Sequence, residues 1–212
     1  TIQYGLGAVK GVGRGAVENL VDARTRGGPF TDLADFCQRI DAQKLNKRVF
    51  EALILSGSMD ALAGNRASLM AQLPECMRAA EQQARDADAG QFSMFGAAGP
   101  SAPKHALIEV ADWPIAQRLA GERDTLGYYL SGHPTDAWRD LIAEVATCAI
   151  GDIDKHYKPP QGERRSRFAE LPTFTLAGSV IAIRKQGDSR AFVTVEAFSG
   201  KFEAVLSRAN WV

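Results

Sequence analysis

The sequence predicts an α+β chain, a mostly α-helical first part followed by a small antiparallel β segment, and three observations carry that reading. Apolar residues recur at helical spacing early on, as in Leu45, Val49, Leu53 and Ile54. The last forty residues instead alternate with period two, in 173–183, 191–196 and 201–206. Between these regimes, Gly96 to Pro103 consists only of Gly, Ala, Ser and Pro and buries too little apolar surface to order itself. The expected division is a helical domain over 1–90, an exposed peptide and linker over 91–112, a helical connector over 113–170 and the β segment over 171–212.

The first element is a tight turn. Val9-Lys10-Gly11-Val12-Gly13-Arg14-Gly15-Ala16 leads into Val17, Leu20 and Val21. That order fits the helix-hairpin-helix pattern of Gly, apolar, Gly, then a small apolar residue and an apolar pair. Gly11 and Gly13 are expected to turn with positive φ and to let a phosphate approach, while Val12 packs inward. A helix over roughly 14–26 then aims its free N–H groups and positive dipole end at that phosphate. Lys10 and Arg14 add charge that positions a backbone without reading bases. Sequence-independent duplex binding through Lys10, Gly11, Val12, Gly13 and Arg14 follows. A dinucleotide loop fits poorly, because the third glycine is one residue late and no acidic residue follows at the usual interval. A phosphate loop needs Gly-Lys-Ser/Thr, which does not occur. A purely structural αα-hairpin remains a competitor.

Phe30, Leu33, Phe36 and Ile40 predict an amphipathic helix capped by Thr31. A second helical pair follows, ending first at Ser56-Gly57 and restarting at Gly64-Asn65-Arg66 through Leu69 and Leu73. Lys44, Lys47 and Arg48 gather at a helix start, where cations oppose the dipole, so nucleic acid or plain solvation explains them better than helix stability does. Trp113 to Pro134 reads as a helix opened at Pro114 and closed on Ser131-Gly132-His133-Pro134, with Tyr128, Tyr129 and Leu130 as core and His133 as a turn residue.

Composition narrows the classes. Lys plus Arg and Asp plus Glu number 25 each, so affinity for DNA must come from local clustering. Cys37, Cys76 and Cys148 stand apart, as do the three histidines, and indicate neither a disulfide framework nor a zinc site. The sequence offers no bilayer-length apolar run and no signal-peptide pattern, so a cytoplasmic protein with no membrane partner is expected.

Gln91-Phe92-Ser93-Met94-Phe95 places two aromatics and a methionine between glycines, where capture by a partner suits them better than burial, although they could also fold back as a plug. The peptide resembles the bacterial sliding-clamp-binding motif. That resemblance implies that Gln91 bonds the edge of the clamp groove while Met94 and Phe95 fill its apolar pocket.

Four motifs, ordered around the 91–95 peptide, then point to one family: Tyr4-Gly5-Leu6-Gly7-Ala8-Val9-Lys10-Gly11-Val12-Gly13 and Leu53-Ile54-Leu55-Ser56-Gly57 before it, Gly121-Glu122-Arg123-Asp124-Thr125-Leu126-Gly127 and Leu130-Ser131-Gly132-His133-Pro134 after it. Nearly the whole chain resembles the C-terminal half of the bacterial replicative DNA polymerase III alpha subunit. The resemblance implies a noncatalytic fragment of a DNA polymerase that binds duplex DNA, docks on the sliding clamp (the polymerase beta subunit) and meets other replicase subunits. It also implies a partial oligonucleotide-binding (OB) barrel at 171–212, with about three of its five strands. Catalytic residues and metal ligands are expected to be absent here and Mg²⁺ to belong to a palm outside this sequence, so the fragment alone should be inactive. The paired carboxylates Asp86/Asp88 and Asp152/Asp154 have only superficial metal spacing. The alternatives are a helix-hairpin-helix domain of a repair ligase or nuclease, and an adaptor that ignores DNA.

Overall fold

The computed structural model describes residues 4–40, 45–62, 64–88, 108–157 and 172–207. Two compact units divide the chain, Thr1–Ser131 and Gly132–Val212. The boundary falls inside the stretch read as a connector over 113–170.

In the first unit, α1 spans Arg14–Gly27, α2 Leu33–Arg39, α3 Lys47–Leu55, α4 Arg66–Asp88 and α5 Ile115–Leu126. Their apolar faces meet in one core around Phe50, Leu45, Ile54, Leu69 and Leu73, each nearly inaccessible. Three phenylalanines knit α2 into it: Phe30 lies 4.7 Å from Phe36, and Phe36 meets Phe50 edge-on at 5.6 Å. Such aromatic pairs add roughly 0.5–1.5 kcal/mol beyond their buried area.

Caps fix the helix starts. Asp32, not Thr31, caps α2, because its Oδ1 accepts the Asp35 amide at 2.8 Å while Asp35 Oδ2 accepts the Thr31 amide at 3.0 Å. Asn46 caps α3 through the Val49 amide, and Asn65 caps α4 through the Ser68 amide. Residues 108–112, at the end of the expected linker, run beside α4, where Asn65 Nδ2 donates to the Val110 carbonyl at 2.8 Å and Ser68 Oγ accepts the Val110 amide at 3.0 Å. Side chains of α4 therefore serve as a backbone partner for that segment.

In α5, Pro114 is the N-cap and Ile115, not the expected proline, the first helical residue; the helix closes at Gly127, whose φ of 82° makes it a left-handed cap. Tyr128 and Leu130 thus lie past the helix and are 38 % and 60 % exposed, which corrects their reading as core; Tyr129 is half-buried. His133 sits in the turn that follows, its amide donating to Asp136.

The second unit holds α6 (Arg139–Val145), the short α7 (Ile153–His156) and a sheet of β1 (Ser179–Gln186), β2 (Arg190–Ala197) and β3 (Gly200–Ser207). The strands pair antiparallel in the order β1-β2-β3, with Val193 facing both Ile183 and Ala204. Central β2 carries the most buried strand residues, Ala191, Val193 and Ala197. The expected strand from Thr173 starts only at Ser179, because Thr175 instead exchanges hydrogen bonds with Thr147. Among the described residues the sheet is open and three-stranded, an α+β arrangement. No helix there is long and apolar enough to cross a membrane.

Candidate nucleic-acid interface

The glycine-rich turn builds an uncapped helix start on an exposed surface. A single 3-10 turn, Leu6–Ala8, delivers Val9 and Val12 into the core at 2 % and 5 % exposure. Between them Lys10 and Gly11 stand out in solvent, and only Gly11 needs a left-handed backbone, at φ 93°. The expectation of positive φ at Gly13 is corrected: it is extended at φ −75°, ψ 162°, because it is the N-cap of α1. As a cap it offers no side chain, so the first-turn amides of Arg14 and Gly15 lie outside the helical hydrogen-bond ladder without a capping acceptor. A Cβ at Gly13 or Gly15 would meet nothing within 4 Å. The absence of side chains here therefore answers no packing need of the protein itself.

Charge around this helix start is positive and loosely held. Arg14 Nε lies 2.8 Å from Glu18 in a pair whose side chains are 93 % and 61 % exposed, which contributes little stability and leaves the guanidinium free to reorient. Lys10 is exposed, whereas Val12 is buried and can act only through the shape of the turn. At the next hairpin Lys47 lies 3.3 Å from Glu51, and Arg48 is exposed beside it at the start of α3. Lys44 lies outside the described residues, as does the whole peptide Gln91, Phe92, Ser93, Met94 and Phe95.

What holds the turn rigid comes from far along the chain. The Lys10 amide donates to the Thr125 carbonyl at 2.8 Å, which ties the turn to the end of α5. Helix α5 is in turn pinned by Glu122, a carboxylate with no exposed surface. Its Oε1 accepts Arg66 Nη1 at 2.9 Å and the Ser131 hydroxyl at 2.5 Å; its Oε2 accepts the Leu130 and Ser131 amides at 2.6 and 2.8 Å. Burial pushes the Glu122 carboxyl toward neutrality, but the Ser131 hydroxyl and amide, the Leu130 amide and Arg66 outweigh it and hold its pKa below the usual value. Arg66 completes the set by gripping Asp60 through two 2.7 Å bonds, and those bonds raise its own pKa against the opposing effect of burial.

Sequence reasoning missed this Asp60–Arg66–Glu122 group. The signal available was a glutamate at helical spacing from Leu119 and Leu126, and nothing local tells such a residue's partner 56 positions away. Of the acidic residues weighed for metal binding, Asp152 bonds Lys155 at 2.6 Å, and among the described residues no group of three His, Cys, Asp or Glu is placed to hold a metal ion.

Turn, uncapped helix start and buried support together define a domain of the helix-hairpin-helix class, and residues 1–69 match the family described as "Helix-hairpin-helix motif". Relatives extend the match across nearly the whole chain. The DNA polymerase III subunit alpha of Xylella fastidiosa (strain Temecula1) is 45 % identical over 210 residues, covering 96 % of this chain and 18 % of the relative. The same-named proteins of Vibrio cholerae and Escherichia coli (strain K12) are 40 % and 38 % identical over 211 residues, covering 97 % of this chain and 17 % of theirs. The chain belongs to the DNA polymerase III alpha-subunit family and spans 17–18 % of the length of these relatives.

Proposed function

We propose that this chain is a noncatalytic part of a bacterial replicative DNA polymerase that grips the backbone of duplex DNA and fastens the enzyme to the sliding clamp. The observation that carries the DNA half is the bare start of α1, where Gly13 and Gly15, with open space above them, flank Arg14 and leave the Arg14 and Gly15 amides without a capping acceptor, a few residues from Lys10. A phosphate fits that place because close approach, amide donors and positive charge coincide there. Lys44, Lys47 and Arg48 would add contacts from the second hairpin. The clamp half rests on Gln91 to Phe95, whose glutamine, methionine and phenylalanine suit an amide-edged apolar groove. Two weak contacts on one polymerase make DNA re-engagement effectively intramolecular once the clamp is bound, which is the source of processivity. The polymerase would act in the cytoplasm among other replicase subunits, with its Mg²⁺ chemistry in a palm supplied by other sequence.

Gly13→Asp tests the DNA half. Aspartate is as good an N-cap as glycine or better, so the folded domain should gain a few tenths of a kcal/mol, while a carboxylate at the phosphate position should weaken duplex binding at least tenfold. Thermal melting and fluorescence anisotropy with a labelled duplex read the two effects, and unchanged DNA affinity would favour the DNA-independent adaptor. For the clamp half, calorimetric titration with a bacterial sliding clamp should show binding that vanishes in the Gln91→Ala, Met94→Ala, Phe95→Ala triple variant; binding that survives would move the contact elsewhere.

A further inference from the structure

We propose that the DNA track continues past the hairpin turn to Tyr128, whose hydroxyl donates to a phosphate oxygen of the duplex while its ring lies against the neighbouring deoxyribose. The proposal rests on the DNA-binding reading above and adds a contact residue to it.

Tyr4 and Tyr128 meet edge-on, with ring centroids 5.3 Å apart, yet both remain open to solvent, 45 % and 38 % exposed. The two segments that carry them are joined. The Tyr4 hydroxyl donates to the carbonyls of Ala8 and Leu126, both at 3.4 Å, and the Lys10–Thr125 bond locks the same two segments together. Gly127 turns the chain out of α5 with φ 82° and so delivers Tyr128 beside Tyr4. Among the described residues the Tyr128 hydroxyl has no hydrogen-bond partner, whereas that of Tyr4 has two.

The ground between this pair and α1 is unobstructed. Gly5 and Gly7, like Gly13 and Gly15, would place a Cβ in open space, and the side chains of Val9 and Val12 are turned into the core. Lys10 supplies positive charge in mid-strip and Arg14 at its end. A low, exposed strip of glycine backbone with cations along it and a fixed phenol at the far end suits a sugar–phosphate chain. The phenol contributes a neutral donor and an apolar face, both of which protein side chains use on DNA backbones without reading sequence.

The ionic-strength dependence of binding separates this contact from the others. Anisotropy titrations of the 212-residue chain with a labelled duplex at several salt concentrations should show Tyr128→Phe binding about three- to tenfold more weakly at every salt, with the slope of log affinity against log salt unchanged. A neutral donor displaces no counterion. Lys10→Gln should instead reduce that slope by about one. Tyr128→Phe keeps the ring and its packing, so its melting temperature should equal that of the parent. If Tyr128→Phe binds as the parent does, or changes the slope, while Lys10→Gln behaves as stated, the extension to Tyr128 is wrong and the hairpin reading stands. If the parent does not bind duplex, or Lys10→Gln leaves affinity and slope unchanged, the hairpin reading falls and the extension with it.

Discussion

Glu122 shows how one residue can carry a structural decision that its neighbours in sequence do not announce. Its depressed pKa means that it favours the folded state above its unfolded value of about 4.5, and that this contribution is lost as pH falls through the lower folded value. Acid unfolding of the parent should therefore steepen below pH about 4.5, and Glu122→Gln should remove that component while costing about 3 kcal/mol at neutral pH, as circular dichroism at graded pH would show. Cys37 makes the complementary case. Burial first, then Cys76 and Asp32, push its thiol up to about 12, so thiol titration of the native chain at pH 8 should find Cys148 reactive and Cys37 silent until denaturant is added. Gly13 was legible as special but not as to why. A Gly-x-Gly turn signals freedom of φ, whereas here only Gly11 needs that freedom and Gly13 is an extended N-cap with open space where a Cβ would stand. Tyr128 and Leu130 were misread for a different reason: the chain leaves α5 at Gly127, so the helical spacing that would have turned them inward ends before they are reached.

Helix periodicity carried most of the first unit at the level of elements, because α1, α3 and α4 each turn an apolar stripe to a shared core. The end of α5 was harder to read. Gly127 and Ser131-Gly132 are both plausible stops, and what chose the earlier one was Glu122 capturing the Leu130 and Ser131 amides, which a continuing helix would have used itself. The start of β1 failed similarly, since alternation in Thr173 to Ala177 persists whether the backbone pairs with a strand or with Thr147. Glycines in two helices now make opposite predictions. On Gly121 a Cβ would stand 2.9 Å from Leu55 Cδ2, where α5 crosses α3, so Gly121→Val should cost roughly 1–3 kcal/mol. Gly15→Ala, with open space and a helical backbone, should gain up to about 1 kcal/mol. Denaturant titration of both variants checks the contrast, and a destabilised Gly15→Ala would mean that the start of α1 is crowded after all.

The whole molecule is two units with separate cores, and a calorimetric scan should resolve them. Glu122→Gln should lower the transition of Thr1–Ser131 and leave that of Gly132–Val212 in place; a single transition moving as one would show that the units unfold together. The order of helices and strands was readable at this scale, but the division between the units was not, because the bonds that assign α5 to the first unit run from Arg66 and Lys10 to residues far downstream. The bond from the Lys10 amide to the Thr125 carbonyl also sets a clock. Those residues are 125 − 10 = 115 positions apart, so a ribosome adding about 5–20 residues per second exposes the turn on the order of ten seconds before its brace exists. The nascent turn must wait unsupported through that interval, its Val9 and Val12 open to whatever chaperone or neighbouring chain reaches them first.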